Sequence, residues 1–168
     1  MILLPQRKAI AVFAVLAVAY FLSALIRAIT ATLAPTLVHE LSLNAADLGL
    51  LAGAYFLGFS LTQLPLGSWL DRKGPKWVES MLLLVAMAGC VAFSQATSFA
   101  GLMLSRVLCG IGLSACLMAP LTGYRSWFAP ATLMRANSWM LMLGALGTVA
   151  STLPVQWLLR SWAGGQFF

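Results

Sequence analysis

One stretch of ten residues decides how this sequence is interpreted. It reads Gly67-Ser68-Trp69-Leu70-Asp71-Arg72-Lys73-Gly74-Pro75-Lys76. Apolar runs flank the stretch on both sides, at 48–70 and at 77–96. A Gly-Pro pair favours a turn, and the neighbouring basic side chains keep that turn in water. The stretch therefore predicts a short charged loop between two apolar helices.

The composition is that of a membrane protein. Of the 168 residues, 61% are hydrophobic and 8% are charged, whereas a soluble domain has about 25% charged residues. Lipid offers no partner for backbone N–H and C=O groups, so we expect helices of ~20 residues rather than strands. The predicted fold class is an all-α, polytopic transmembrane helix bundle in the lipid bilayer. Its spans are predicted at 9–34, 48–70, 77–96, 100–122 and 137–158.

The basic residues predict the orientation of the bundle. One side of the predicted membrane holds Arg7, Lys8, Arg72, Lys73, Lys76, Arg125 and Arg135. The opposite side holds Arg160 alone. By the positive-inside rule the first side is cytoplasmic, so the N-terminus is predicted inside and the C-terminus external. The net charge of +6 is spread over loops and forms no basic face, and a nucleic-acid partner is not expected.

No pattern indicates an enzyme. The cysteines Cys90, Cys109 and Cys116 lie in apolar runs without metal-ligand spacing, and His39 is alone in its segment. No acidic pair or nucleophile constellation is present in the sequence. We therefore predict no catalytic residue, no metal site and no cofactor.

Small residues recur inside the apolar runs. Such residues let helix backbones approach closely in lipid, where no hydrophobic effect drives helices together. Gly144 and Gly147 in the fifth run are predicted to serve helix packing, and Pro154 is predicted to kink or end that helix.

The loop at 67–76 resembles the cytoplasmic motif between helices two and three of the major facilitator superfamily. The matching positions are Gly67, Asp71, Arg72, Gly74 and Lys76. Pro75 departs from the general pattern, which usually has a basic residue there. The resemblance implies that Asp71 gates the transporter by stabilising its outward-open state through contacts with neighbouring helix ends.

The fourth run is similar to the family's Arg-x-x-x-Gly-x-Gly pattern, with Arg106, Gly110 and Gly112. A cation at a helix centre costs ~2.5–3.5 kcal/mol on insertion scales, so Arg106 needs a partner, a watery cavity or a route for snorkelling to the interface. The resemblance implies a conformational or proton-coupling role.

Arg27 is the third feature, because its run contains no acidic residue. In family members that carry anions, an arginine on the first helix can face the central cavity and grip a carboxylate or phosphate. The hypothesis is that Arg27, with Tyr20 and Gln63, binds an organic or inorganic anion. Snorkelling of Arg27 is the alternative, and the sequence leaves both open.

The family fold has twelve helices in two halves, with the substrate site between them. Five predicted spans correspond to a partial N-terminal half, so a fragment, a truncated gene product or an expressed piece of a larger transporter is expected. The predicted function is secondary active transport of small solutes by alternating access, with a coupling ion such as a proton, in a bacterial inner membrane. The alternative is a non-transporting membrane module that associates with itself or with a full-length transporter.

Overall fold

Six α-helices make up the part of the chain that the computed structural model describes, which is residues 6–152 and Trp157. They are α1 (Gln6–Leu41), α2 (Ala45–Lys73), α3 (Pro75–Gln95), α4 (Phe99–Leu113), α5 (Ala115–Trp127) and α6 (Pro130–Ala150). Four stretches are long and apolar enough to cross a membrane: Arg7–Leu33, Ala45–Lys73, Pro75–Gln95 and Phe99–Trp127. The last of these joins α4 and α5. The predicted class, an all-α membrane helix bundle, is confirmed for this part of the chain.

The helix ends differ from the predicted ones. Helix α1 runs through Pro35 to Leu41, beyond the predicted end at 34. A proline inside a membrane helix is tolerated because neighbouring groups can satisfy the backbone carbonyl that it frees. Helix α6 begins at Pro130 rather than at 137. Proline suits the first position of a helix, since its fixed φ is already helical and its missing N–H would have had no partner. The predicted end of the fifth span at 158, and Pro154 with it, lie outside the described residues.

The predicted loop at 67–76 is almost entirely helical. Helix α2 continues to Lys73, and α3 starts at Pro75, so Gly74 alone makes the turn. Gly74 has φ +78°, a left-handed value that favours glycine, and its N–H donates to the Leu70 carbonyl at 3.0 Å. The single-residue turn directs α3 back along α2.

The other end of α2 is closed by its own side chains. Asn44 Oδ1 accepts a hydrogen bond from the Asp47 N–H, and Asp47 Oδ2 accepts one from the Asn44 N–H, both at 3.0 Å. This reciprocal capping box satisfies two backbone donors that the first turn of a helix leaves without partners. The sharp change of direction after α1 is thereby held in place.

Successive long helices run in opposite directions, so the bundle has two distinct ends. The Gly74 end gathers the start of α1, the turn between α2 and α3, and the loop between α5 and α6. The opposite end, here the Leu43 end, joins Leu37, Leu43, Leu51 and Leu102 in one apolar cluster. Seven exposed basic side chains lie at the Gly74 end: Arg7, Lys8, Arg72, Lys73, Lys76, Arg125 and Arg135.

Glycines lie at the closest helix contacts, which are those of α4 with α2 and α3 and of α1 with α6. A Cβ at Gly110 would lie 2.9 Å from the Phe59 backbone nitrogen, and one at Gly112 would lie 2.6 Å from the Ala86 Cβ. Gly147 lies against the Phe21 backbone of α1, whereas Gly144 lies against the ring of Tyr20. None of these four positions has room for a side chain, and at Gly110, Gly112 and Gly147 the neighbouring atoms include helix backbone, so the helices approach at backbone distance there.

Candidate functional site

A cavity of about 360 Å³ opens between α1 and α2 beside Arg27. Arg27 is exposed, whereas Tyr55, which lines the same cavity, is only 3% exposed. Thr30 adds a hydroxyl, and Ala52 and Phe56 contribute apolar surface. Among the described residues that line the cavity, Arg27 alone carries a charge. A positive group in a largely apolar pocket is suited to holding an anion.

Tyr55 places a buried hydroxyl close to this pocket. Its ring packs on Phe59, with centroids 6.4 Å apart, and on Phe56 at 5.5 Å. The hydroxyl lies near Ser23 of α1, but within the described chain it makes no hydrogen bond of good geometry. A buried hydroxyl of this kind can donate to a ligand without first breaking a bond to the protein.

Tyr20 and Gln63, the other two residues of the binding hypothesis, do not line the Arg27 cavity. The Tyr20 ring packs directly on Gly144 and so belongs to the interface between α1 and α6. Gln63 Nε2 donates to the carbonyl oxygen of Ser114 at 3.4 Å, at the junction of α4 and α5. Both side chains are engaged in helix packing, which sequence spacing cannot reveal.

Arg106 is buried, with 2% of its surface exposed, and does not snorkel. Its Nη1 donates to the carbonyl oxygen of Ile26 at 3.3 Å, and its guanidinium stands 4.3 Å from the centroid of the Phe93 ring. The side chain therefore ties α4 to α1 and α3. Because Ile26 directly precedes Arg27, Arg106 holds the backbone from which the cavity arginine projects.

The motif residues Asp71, Arg72 and Lys76 are exposed at the Gly74 end. Phe56, the last residue of α2 to line the Arg27 cavity, is about 22 Å from Asp71 along the helix axis. The motif therefore cannot touch a ligand in that cavity. Gly67 has no atom within 4 Å of its Cβ direction in the described part of the chain.

A larger hollow of about 540 Å³ lies at the Gly74 end, between the starts of α1 and α6. Its wall is mostly aromatic and aliphatic, and its polar lining side chains, Thr132 and Arg135, are both exposed. Since neither of these two polar side chains is buried, packing does not hold either of them in a fixed position. The smaller Arg27 cavity, with the buried Tyr55 hydroxyl, is the better candidate for a solute site.

Two residues of interest were missed by sequence reasoning. No sequence pattern marks Tyr55, because the burial of its hydroxyl follows from the packing of α2 against α1. Glu79 did carry one, since it is an acidic residue inside the apolar run at 77–96, and ionisable groups in spans are usually functional. Glu79 is 3% exposed, and neither carboxylate oxygen has a hydrogen-bond partner among the residues described.

Comparison with known proteins supports a transporter lineage. Residues 16–167 match the family described as the Major Facilitator Superfamily. The chain is similar to the uncharacterized transporter YybO of Bacillus subtilis, with 33% identity over 107 residues, covering 62% of this chain and 24% of that protein.

Two further relatives are named for what they carry. The nitrate/nitrite transporter NrtP of Picosynechococcus is 30% identical over 112 residues, covering 67% of this chain and 21% of its own length. The hexuronate transporter of Escherichia coli is 26% identical over 140 residues, covering 82% and 32%. No solved structure matches the chain. The chain thus spans about a fifth to a third of the length of these relatives.

The family match covers most of the sequence, including the loop at 67–76 and the Arg106 pattern. Together with four membrane-capable helical stretches, it identifies an integral, multi-pass membrane protein. The chain belongs to the major facilitator superfamily.

Proposed function

We propose that this chain forms part of a secondary active transporter that carries small organic or inorganic anions by alternating access. The observation that carries the proposal is the cavity between α1 and α2, where Arg27 is the charged group and Tyr55 supplies a buried hydroxyl. Relatives named for nitrate, nitrite and hexuronate transport support this class of solute, because all of these solutes are anions.

The chemistry of the cavity favours recognition of a planar anion. A guanidinium presents a fork of N–H donors that matches two oxygens of a carboxylate or a nitrate. Apolar walls such as Phe56 exclude water and strengthen that contact. Hydrogen bonds to charged groups contribute about 1.5–3 kcal/mol each, enough to select an anion over a neutral solute of similar shape.

Arg106 supports the cavity from behind in this proposal. It binds the Ile26 carbonyl, so a shift of α4 relative to α1 would move the backbone next to Arg27. A buried cation that connects three helices couples the binding of a ligand to the movement of those helices. Its neighbour Gly110 keeps α4 at backbone distance from α2, so such a shift would also involve α2.

The orientation and location belong to the same proposal. The seven exposed basic residues at the Gly74 end make that end cytoplasmic by the positive-inside rule. Asp71, Arg72 and Lys76 then act as a gate at the cytoplasmic ends of the helices. Bacterial relatives support placement in a bacterial inner membrane.

The test is uptake by proteoliposomes that contain the protein as its complete gene encodes it. Labelled nitrate and a hexuronate serve as solutes, with an uncharged sugar for comparison. Arg27→Gln is expected to raise the apparent KM for the anion roughly 10- to 100-fold, from the loss of about 1.5–3 kcal/mol. Arg27→Lys keeps the charge but lacks the forked pair of N–H donors, so its apparent KM should lie between that of the unaltered protein and that of Arg27→Gln. Arg125→Gln is the matched control, because Arg125 is exposed at the Gly74 end.

Unchanged anion uptake in Arg27→Gln would refute the role of the cavity. Uptake no higher than that of empty vesicles would favour the alternative, a membrane module that associates with itself or with a full-length transporter. Pull-down of the tagged chain with an untagged copy or a full-length relative would then identify that partner.

A further inference from the structure

A second buried polar site lies at the Gly74 end, away from the Arg27 cavity. Glu79 in the second turn of α3 is 3% exposed, and Tyr124 in the last turn of α5 is 0% exposed. Neither the Glu79 carboxylate nor the Tyr124 hydroxyl has a hydrogen-bond partner within residues 6–152. Helix α3 packs against α5, and the Glu79 carboxylate is within electrostatic range of the Tyr124 hydroxyl.

The surroundings of the site are apolar. Val78 and Leu82, which flank Glu79 on α3, belong to one apolar cluster with Leu66, Leu70, Ala115 and Ala119. The Tyr124 ring packs on Phe13 at 5.9 Å and on Phe128 at 5.1 Å between ring centroids. Aromatic packing therefore holds Tyr124, and no hydrogen bond within residues 6–152 holds either group.

No described cation is buried with the carboxylate. From α5, the titratable groups within electrostatic range of it are Cys116 and Tyr124. The nearest cations along the chain, Lys76 on α3 and Arg72 and Lys73 at the end of α2, are exposed. An ionised carboxylate that is removed from water without a cation costs several kcal/mol, and a neutral carboxylic acid avoids that cost.

We propose that Glu79 and Tyr124 form a proton-binding site. The proton adds to a Glu79 oxygen to form a neutral carboxylic acid, and the Tyr124 hydroxyl, which makes no hydrogen bond to that oxygen in the structure, acts on the acid as a nearby dipole. On release, the O–H bond breaks and the proton passes to water. Glu79 is only about 6 Å along α3 from Pro75, so a small separation of α3 from α5 would admit water from the Gly74 end.

The inference rests on the proposed transport function, for which it names the coupling ion and the group that carries it. The arrangement separates two tasks in space. Arg27 holds the anion in the cavity between α1 and α2, and Glu79 holds the proton near the gate. The gate motif adjoins this site directly, because Gly74 is the turn that leads into α3.

Infrared spectroscopy of the 168-residue chain in lipid tests the protonation itself. The C=O stretch of a protonated carboxylic acid is expected at neutral pH, with a downshift in heavy water. Glu79→Gln should abolish that band, whereas Asp71→Asn should leave it intact, since Asp71 is exposed at the same end. Tyr124→Phe should shift the frequency of the band, because it removes the polar hydroxyl that lies within electrostatic range of the carboxyl group.

A second measurement covers the case in which Glu79→Gln does not fold. The sequence contains only two glutamates, Glu40 and Glu79, so 13C-glutamate labelling of a Glu40→Gln variant isolates Glu79. No protonated band at neutral pH in that sample, or a band that persists in folded Glu79→Gln, would overturn the proposal. This result does not depend on solute, so it can fail while the Arg27 proposal stands.

The link to transport has its own readout. In proteoliposomes containing the complete gene product, Glu79→Gln should abolish the accumulation of anion driven by a pH gradient. Exchange of labelled for unlabelled anion without a gradient should continue. Equal loss of both activities would indicate a structural role and would overturn the assignment of Glu79 as the proton carrier.

Discussion

Replacing Gly110 with alanine is predicted to push α2 and α4 apart. The new Cβ would lie 2.9 Å from the Phe59 backbone nitrogen and closer still to the Tyr55 carbonyl oxygen, where ordinary contacts are 3.4–4 Å. The atoms in the way are helix backbone and cannot rotate aside. The helices must therefore separate by about half an ångström or more, and the packing of Tyr55 at the Arg27 cavity changes with them.

The magnitude follows from a matched control. Overpacking a filled interface typically costs 1–3 kcal/mol, whereas alanine is favoured over glycine in a helix by about 1 kcal/mol. A Cβ at Gly53 on α2 has no atom within 4 Å, so Gly53→Ala gains the propensity term without the overlap. The difference between the free energies of unfolding of the two variants isolates the cost of the overlap. We expect Gly110→Ala to be less stable than Gly53→Ala by about 1–3 kcal/mol.

Reversible unfolding in mixed micelles measures this difference. The denaturing detergent is titrated, and tryptophan fluorescence reports the folded fraction of each variant. The midpoint of Gly110→Ala should fall well below that of Gly53→Ala. If the two variants unfold at the same detergent fraction, α2 and α4 are not in backbone contact at Gly110, and the reasoning about glycine packing is wrong.

Two further substitutions test local features of the fold. Gly74→Ala should destabilise the chain by about 1–2 kcal/mol, because residue 74 has φ +78° and a Cβ is strained there; Gly67→Ala, in open space, is the control in the same unfolding assay. Arg106→Lys should cost about 1.5–3 kcal/mol by leaving a buried charge without its bond to the Ile26 carbonyl. The exposed Arg125→Lys should change the unfolding free energy by less than about 0.5 kcal/mol, and equal effects of the two arginine substitutions would contradict the buried position of Arg106.

The sequence predicted the helices better than their ends. Long apolar runs indicate spans reliably, because lipid excludes any backbone without internal hydrogen bonds. Helix ends depend on local geometry that apolar content does not report. The 67–76 stretch was predicted as a loop for its charges, yet long basic side chains reach water from the last turns of a helix, and α2 continues to Lys73.

The candidate site was predictable only in part. Arg27 stood out as an unpaired cation in an apolar run, and the structure places it on a cavity wall. Tyr20 and Gln63 were predicted to bind the anion together with Arg27. In the structure the Tyr20 ring packs on Gly144, and Gln63 donates a hydrogen bond to the Ser114 carbonyl oxygen. Which way a side chain faces depends on how whole helices pack against each other, and a single helix carries no information about its neighbours.

The sequence by itself determined that the chain is a membrane helix bundle of the major facilitator superfamily, because hydropathy and the loop motif at 67–76 depend only on local chemistry. Only the tertiary structure decided which contacts the charged groups inside the bundle make and how deeply they are buried. It placed Arg106 against Ile26 and Phe93, and it buried Glu79 without a hydrogen-bond partner among the described residues. Those outcomes depend on contacts between residues far apart in sequence, and only helix packing brings them together.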